Sequence, residues 1–175
     1  MAENLTGGYT GKVLRVNLSI GSLTTETIDG AFCRKYLGGT GFIAYYLLNE
    51  VSPGVEPLDP KNKLVFACGP LTGLSLLGAG RHCVGALSPL TSAIAKSEVG
   101  EHWGAQLKRA GFDVLIVEGR SEHPVYLWVH DGAADLRKAD HIWGQKTKET
   151  QEVIRAELVN DSIRVAMIRH GGEGP

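Results

Sequence analysis

The glycine-rich stretch over residues 68–104 contains the side chains best suited to bind an anionic ligand. Glycine lets backbone N–H groups approach a ligand closely, and the N-terminus of a helix presents unpaired N–H groups to anions. Arg81 adds a forked cationic donor that suits a phosphate or a planar heterocycle. A predicted loop over residues 97–100 leads into a predicted helix, and backbone amides near Gly100 supply further donors. The stretch therefore predicts a binding surface for a polar, phosphorylated group.

The sequence gives less support to a hydrolase triad, a zinc site or a nucleotide-binding motif. Ser88, His102 and Asp113 could form a hydrolase triad, but no GxSxG nucleophile elbow is present. His82, Cys83 and His102 can bind metals, yet their spacing matches no structural zinc pattern. Neither a GxGxxG fingerprint nor a P-loop occurs. We therefore predict no catalytic residue and no metal ligand in this chain.

Composition narrows the class of protein. At 175 residues and 43% apolar, the chain can bury the core of one domain. Its 18 basic and 19 acidic residues leave no excess positive charge for nucleic acid or an anionic membrane. The first residues, MAENLTGGYTGKV, show no basic run followed by an apolar core, and no apolar run approaches the roughly 18 residues that span a bilayer. Three cysteines without a CxxC pair fit a reducing compartment, so we expect a cytoplasmic protein.

The elements that must position the glycine-rich stretch follow from hydrophobic periodicity and turn residues. The predicted elements are a hairpin over residues 12–18 and 23–28, helices over 31–37 and 41–51, a strand over 63–68 covered on both faces, a helix over 101–111, paired strands over 113–119 and 124–130, a hairpin turn at Asp131 and Gly132, a helix capped by Thr147, and a last strand over 162–168. Hairpins outnumber crossover units, which predicts an α+β fold built on mostly antiparallel sheets. Because the last predicted strand leads into a glycine loop, we expect residues 1–175 to form the first domain of a longer polypeptide.

Five co-linear segments carry a resemblance to a known family. They are YLGGTGFIAYYLLNEV, PGVEPLDPKNKLVFACGPLTG, GRHCVGALSPLT, GAQLKRAGFDVLIVEGRSEHPVYLWVHDG and ADHIWGQKTKET. Together they resemble the N-terminal domain of the aldehyde:ferredoxin oxidoreductase family of tungsten enzymes. The resemblance runs from about Tyr9 to Glu173, and segments of this length are far more specific than a single loop.

The resemblance implies a fold in which two β-sheets and their helices sandwich a tungsten, or molybdenum, bis-pyranopterin cofactor. Family members oxidise aldehydes to carboxylic acids and pass the electrons through a [4Fe–4S] cluster to ferredoxin. The cluster cysteines, the second pterin-binding half and the substrate pocket lie in later domains. The resemblance therefore implies a pterin-binding domain that is inactive alone, within an enzyme that is a homodimer and takes a small aldehyde as substrate.

The family pattern also implies site residues in this chain. The arginine of its GR motif contacts the pterin, and Arg81 occupies that position, followed by His82 where a tyrosine is usual. A glycine that provides backbone contacts corresponds to Gly100. The position of Glu98 usually carries an asparagine, and a carboxylate there would repel phosphate unless it is protonated, turned away or bound to a ring N–H. The predicted cofactor-binding residues are Arg81, Gly100 and Glu98.

Alternative functions stay open at this point. The chain could belong to a divergent tungsten relative such as an aryl-CoA reductase, since some relatives reduce an aryl thioester. It could instead be an isolated, non-catalytic module for cofactor binding or assembly, or an α+β domain whose glycine loop only turns corners. A continuation of the gene into a CxxCxxxC segment would favour the enzyme.

Overall fold

A computed structural model describes residues 7–167 of the chain. In this range the secondary-structure elements are β1 (Lys12–Asn17), β2 (Ser22–Thr27), α1 (Gly30–Tyr36), α2 (Thr40–Glu50), β3 (Lys63–Cys68), β4 (His82–Leu87), β5 (Ile94–Val99), α3 (Trp103–Arg109), β6 (Val114–Glu118), β7 (Val125–His130), β8 (Ala133–Lys138) and α4 (Thr147–Glu157). None of the helices in the described range is long and apolar enough to span a bilayer.

The strands form two sheets. Six strands pair in the order β2-β1-β6-β3-β4-β5, and β7 pairs with β8 in a separate two-stranded sheet. Among the strands of the described range, β1 and β6 form the one parallel pair. The predicted α+β fold with two mostly antiparallel sheets is therefore confirmed. The predicted pairing of residues 113–119 with 124–130 is wrong, because β6 lies between β1 and β3, where its apolar run is covered.

Helix α2 packs on one face of the large sheet. Phe42 and Ile43 are fully buried there against Val65 and Ile116. Strand β4 comes so close that a Cβ atom built on Gly85 would lie 2.4 Å from Cγ2 of Ile43. The helix is not buried on all sides, since Leu48 is 72% exposed. The glycine thus sets how closely helix and hairpin pack.

The opposite face of the large sheet is covered by α3 and by the two-stranded sheet. Leu14, Leu107, Phe112 and Leu115 are buried in this second core. Residues 127 and 129 of β7 and residues 134 and 136 of β8 pack against it. Helix α4 in turn packs on β7 through Ile154, near Tyr126. The order of layers is therefore α1 and α2, the six-stranded sheet, then α3 with the β7–β8 hairpin, and α4 beyond it.

His82 joins β4 to α3. The residue is only 5% exposed, and its ring centroid lies 4.9 Å from that of Trp103. A Cβ atom built on Gly104 would lie 2.8 Å from the Cβ atom of His82. Among the described residues, nothing forms a hydrogen bond with its buried Nδ1. Burial lowers the pKa of His82 because the protonated ring would lose its hydration. The imidazole is therefore held neutral at pH 7.

Asp113 ties the segment before β1 to the core. Its Oδ2 accepts hydrogen bonds from the backbone N–H of Thr10 (2.9 Å) and Gly11 (2.7 Å) and from Oγ1 of Thr10 (3.0 Å). Its Oδ1 lies 3.3 Å from Nζ of Lys108. The carboxylate is 1% exposed, so the hydrogen bonds to Oδ2 and the Lys108 charge beside Oδ1 compensate for its lost hydration.

Smaller differences from the predicted elements occur elsewhere. Thr147 is the first residue of α4, and Lys146 occupies the N-cap position that was predicted for Thr147. Strand β3 is covered on both faces only in its second half, because Leu64 is exposed. Residues 162–167 form no strand, residue 168 of the predicted last strand lies outside the described residues, and so does the glycine loop that follows.

The substitution Asp113→Ala tests this buried tether. It leaves the backbone N–H groups of Thr10 and Gly11 without their acceptor and removes the buried counter-charge of the Lys108 ammonium. We therefore expect the free energy of unfolding to fall by about 3 kcal/mol. Urea unfolding of both chains measures the loss. The matched control is Asp140→Ala, which removes an exposed carboxylate. Equal losses for the two substitutions would contradict a structural role for Asp113.

The neutral, buried His82 predicts how stability depends on pH. Because the pKa of His82 is lower in the folded chain than its ordinary 6.5, the unfolded chain takes up a proton first as pH falls. We expect the free energy of unfolding to decrease from pH 7 to pH 5.5, and this decrease to be smaller in His82→Gln. The control His123→Gln, at an exposed histidine, should keep the full decrease. A decrease of the same size in His82→Gln would show that other groups cause it.

Candidate cofactor-binding site

The predicted site residues lie at the open end of the β4–β5 hairpin. His82 pairs with Val99 and Cys83 with Glu98, and the hairpin turns at the other end, where the N–H of Ser88 donates to the carbonyl of Ala93 (2.8 Å). The prediction that residues 97–100 form a loop is wrong, since residues 97–99 belong to β5. The hairpin brings together two parts of the glycine-rich stretch that are almost 20 residues apart.

The register of the hairpin places Arg81 opposite Gly100. These residues stand one step beyond the last pair of the ladder, His82 and Val99. One further step brings Gly80 opposite Glu101, where a Cβ on the glycine would lie 2.2 Å from the Glu101 carbonyl oxygen. The two backbones therefore touch at this point, and only glycine fits at residue 80.

Gly100 has the opposite surroundings. A Cβ built on it would meet no atom of residues 7–167 within 4 Å, and its φ is not in the left-handed region. No packing contact and no backbone conformation explain a glycine here. The absence of a side chain leaves the backbone of Gly100 open to a molecule that approaches this end of the hairpin.

Glu98 contacts Arg81 instead of the open space. Its Oε2 lies 3.2 Å from Nη1 of Arg81, and its Oε1 accepts a hydrogen bond from Nζ of Lys96. The Lys96 ammonium, together with the Arg81 guanidinium, lowers the pKa of Glu98. The carboxylate is therefore ionised and turned toward the two cations. The guanidinium of Arg81 stays accessible, with 70% of its side chain exposed.

A cleft of about 430 Å³ opens beside the ion pair of Arg81 and Glu98. Arg81 and Gly100 line it, and Glu98 does not. The other lining residues are Gly73, Leu74, Ser75, Leu76, Gly78, Gly80, Glu101, His102, Ala105 and Arg109. The cleft thus has glycine backbone on the hairpin side, leucine side chains from the preceding loop, and a second arginine from α3.

The loop that forms one wall of the cleft is fastened to the start of β4. Oγ1 of the buried Thr72 donates to the Arg81 carbonyl (2.7 Å) and accepts from the N–H of Gly69 (2.9 Å). The N–H of Gly73 donates to the carbonyl of Ala79 (2.8 Å). These bonds fix where residue 81 leaves the loop, so the arginine is positioned by the backbone on both sides.

Arg109 is a site residue that the sequence analysis missed. It lies one helical turn after Ala105, and both line the cleft from α3. The i, i+4 spacing of these two residues was a usable signal, because residues four apart share one face of a helix. The exposed face of α3 carries Arg109, whereas its buried face carries Leu107 of the core.

Metal ligands follow a different pattern. Within residues 7–167, no group of three or more His, Cys, Asp or Glu side chains is placed to hold a metal ion. Cys33, Cys68 and Cys83 are buried free thiols, and burial raises the pKa of Cys33 and Cys68. These two thiols are protonated at pH 7. The cleft itself is lined by two arginines, Arg81 and Arg109, whose guanidiniums suit an anionic group.

The sequence of the chain matches a known protein family. A family model described as "Aldehyde ferredoxin oxidoreductase, N-terminal domain" matches residues 13–174. The chain is 45% identical over 166 residues to a tungsten-containing aldehyde ferredoxin oxidoreductase from Pyrococcus abyssi, which covers 95% of the chain and 27% of that relative. It is 30% identical over 159 residues to the WOR-like subunit of an aliphatic sulfonate oxidoreductase from Pyrococcus furiosus, covering 89% of the chain and 25% of the relative.

A solved structure has the same fold. The active-site complex BamBC of benzoyl coenzyme A reductase, in complex with 1,5-dienoyl-CoA, superimposes with a TM-score of 0.86 at 38% identity. The match covers 89% of this chain and 24% of the other. The chain spans about a quarter of the length of these relatives. It belongs to the aldehyde ferredoxin oxidoreductase family of oxidoreductases and corresponds to the N-terminal domain of that family.

Proposed function

We propose that this chain is the N-terminal cofactor-binding domain, residues 1–175, of a tungsten-dependent oxidoreductase. It holds one pyranopterin of a tungsten bis-pyranopterin cofactor at the open end of the β4–β5 hairpin. The observation that carries the proposal is the register that sets Arg81 opposite the open backbone of Gly100, on one cleft. Tungsten in the names of the relatives supports the choice of metal, and molybdenum is the chemical alternative.

The residues of the cleft fit such a group. Arg81 offers two directed N–H donors to phosphate or to ring heteroatoms, and its side chain is exposed. Gly100 lets the ligand approach its backbone because nothing occupies the space where a side chain would be. Glu98 belongs to the site as the residue that orients Arg81, since its carboxylate pairs with that guanidinium and with Lys96.

We propose that the full-length enzyme oxidises an aldehyde. The aldehyde gains one oxygen from water and becomes a carboxylic acid, while two electrons and two protons leave. The bound cofactor would supply the two-electron redox chemistry of its metal, and a [4Fe–4S] cluster in a later domain would pass the electrons to ferredoxin. The part of this chain is to bind and orient the pterin. We place the enzyme in the cytoplasm, as a homodimer with a small aldehyde as substrate.

A second candidate reaction has its own support. The benzoyl coenzyme A reductase complex matches the fold at 38% identity, so the same cofactor-binding domain could serve the reduction of an aryl thioester. The two reactions would use this domain in the same way, because they differ in the substrate pocket. Assaying the full-length protein with an aldehyde and with an aryl-CoA distinguishes them.

Arg81→Gln in the full-length protein tests the role of this residue. We expect the pterin and tungsten content of the purified protein to fall at least about tenfold, because a charge-assisted hydrogen-bonding group is lost from the site. The melting temperature of the cofactor-free protein should stay unchanged, since the exposed side chain leaves no cavity. If the cofactor-free Arg81→Gln protein melts at a clearly lower temperature than the cofactor-free wild type, Arg81 has a structural role instead.

Two glycine substitutions provide a matched pair for the same measurement. Gly100→Ala should lower pterin content while the cofactor-free protein melts as before, since the added methyl group enters open space. Gly80→Ala should lower the melting temperature, because its methyl group would overlap the Glu101 carbonyl. Full pterin content in Gly100→Ala would remove this residue from the proposed site.

A further inference from the structure

Arg109 projects from the end of α3 into the lining of the cleft that Arg81 and Gly100 share. Among the described residues, its guanidinium has no ion pair, hydrogen bond or ring contact. Other arginines of the chain are engaged: Arg15 pairs with Glu26 and Glu50, and Arg155 donates to the carbonyl of Ile163. Arg109 is thus a cation that lines a cleft and has no partner within residues 7–167.

Arg109 differs from Arg81 because no carboxylate of the described residues pairs with its guanidinium. The guanidinium of Arg81 is shared with Glu98, so an anion that binds it must compete with a carboxylate of the chain. An anion that reaches Arg109 displaces water alone. Since both residues line the same cleft, a ligand with more than one acceptor oxygen has donors on the hairpin side and on the helix side.

The charges that line the cleft favour an anion. Arg81 and Arg109 face one carboxylate, that of Glu101, and the exposed His102 is the remaining titratable lining residue. Formal charges therefore sum to a positive value at pH 7 even with His102 neutral. The carboxylate of Glu98, which does not line the cleft, is already neutralised by Lys96 and Arg81.

The remaining wall of the cleft is apolar. Leu74 and Leu76 line it from the loop before β4 and remain largely exposed. A ligand that covers these leucines and also reaches the two arginines has a flat, weakly polar part and an anionic end. A pterin that carries a phosphate has this division, with the ring suited to the leucine side and the phosphate to the arginine side.

We propose that Arg109 is a second anion-binding residue of this cleft, and that the phosphorylated end of the ligand lies between the guanidiniums of Arg81 and Arg109. The identity of the ligand as a phosphorylated pterin rests on the proposed function. The role of Arg109 as an anion donor rests on the cleft itself.

The test uses the full-length protein with Arg109→Gln. In the cofactor-free protein we expect the Kd for inorganic pyrophosphate, measured by calorimetry at low salt, to rise at least about tenfold, because one charge-assisted contact is lost. In the loaded protein we expect lower pterin content. Arg109→Lys should keep part of the pyrophosphate affinity. The control is Arg120→Gln, which removes an exposed arginine that lines a different cleft, near Lys63 and Glu118, and should change neither quantity.

The outcomes separate this inference from the proposed function. Unchanged pyrophosphate affinity and pterin content in Arg109→Gln, with an unchanged melting temperature, would overturn the role of Arg109 even if Arg81→Gln loses the pterin. Weaker pyrophosphate binding in Arg109→Gln supports the role of Arg109 even if the full-length protein proves to contain no pterin. In that second case the proposed function fails and the anion site stands.

Discussion

The antiparallel register of β4 and β5 is the constraint on which the candidate site depends. Pairing of His82 with Val99 fixes what lies one step further, which is Arg81 opposite Gly100. A slip of one residue would move the arginine to the other face of the sheet. The ion pair between Arg81 and Glu98 crosses the same two strands diagonally, so it depends on this register as well.

Three close approaches hold this register in place. Ile43 of α2 fills the space beside Gly85, His82 packs against Gly104 of α3, and the Glu101 carbonyl lies against residue 80. A larger residue at any of these glycines would overlap a neighbour. The hairpin is therefore clamped between a helix on each face of the sheet, although β5 itself is an exposed edge strand. Gly100 differs from these three glycines, because a side chain at residue 100 would enter open space and would overlap no described neighbour.

Sequence patterns predicted the elements that bury a regular apolar face. Strands β1, β3, β6 and β7 and all four helices were expected close to where they occur, since their periodicity reports burial directly. The β4–β5 hairpin was not predicted. Every residue of β5 is exposed, so no alternation marks it, and the glycines around Arg81 indicated a loop. The family resemblance named Arg81, Gly100 and Glu98, but the ion pair between Glu98 and Arg81 is visible only in the structure.

The central claim is that the open end of this hairpin binds a metal-carrying pterin. Its most direct test is the metal and pterin content of the wild-type full-length protein, purified without oxygen and measured by elemental analysis and by fluorescence of the oxidised pterin. We expect the protein to contain pterin together with tungsten or molybdenum. A folded, pure protein that contains neither metal and no pterin would contradict it.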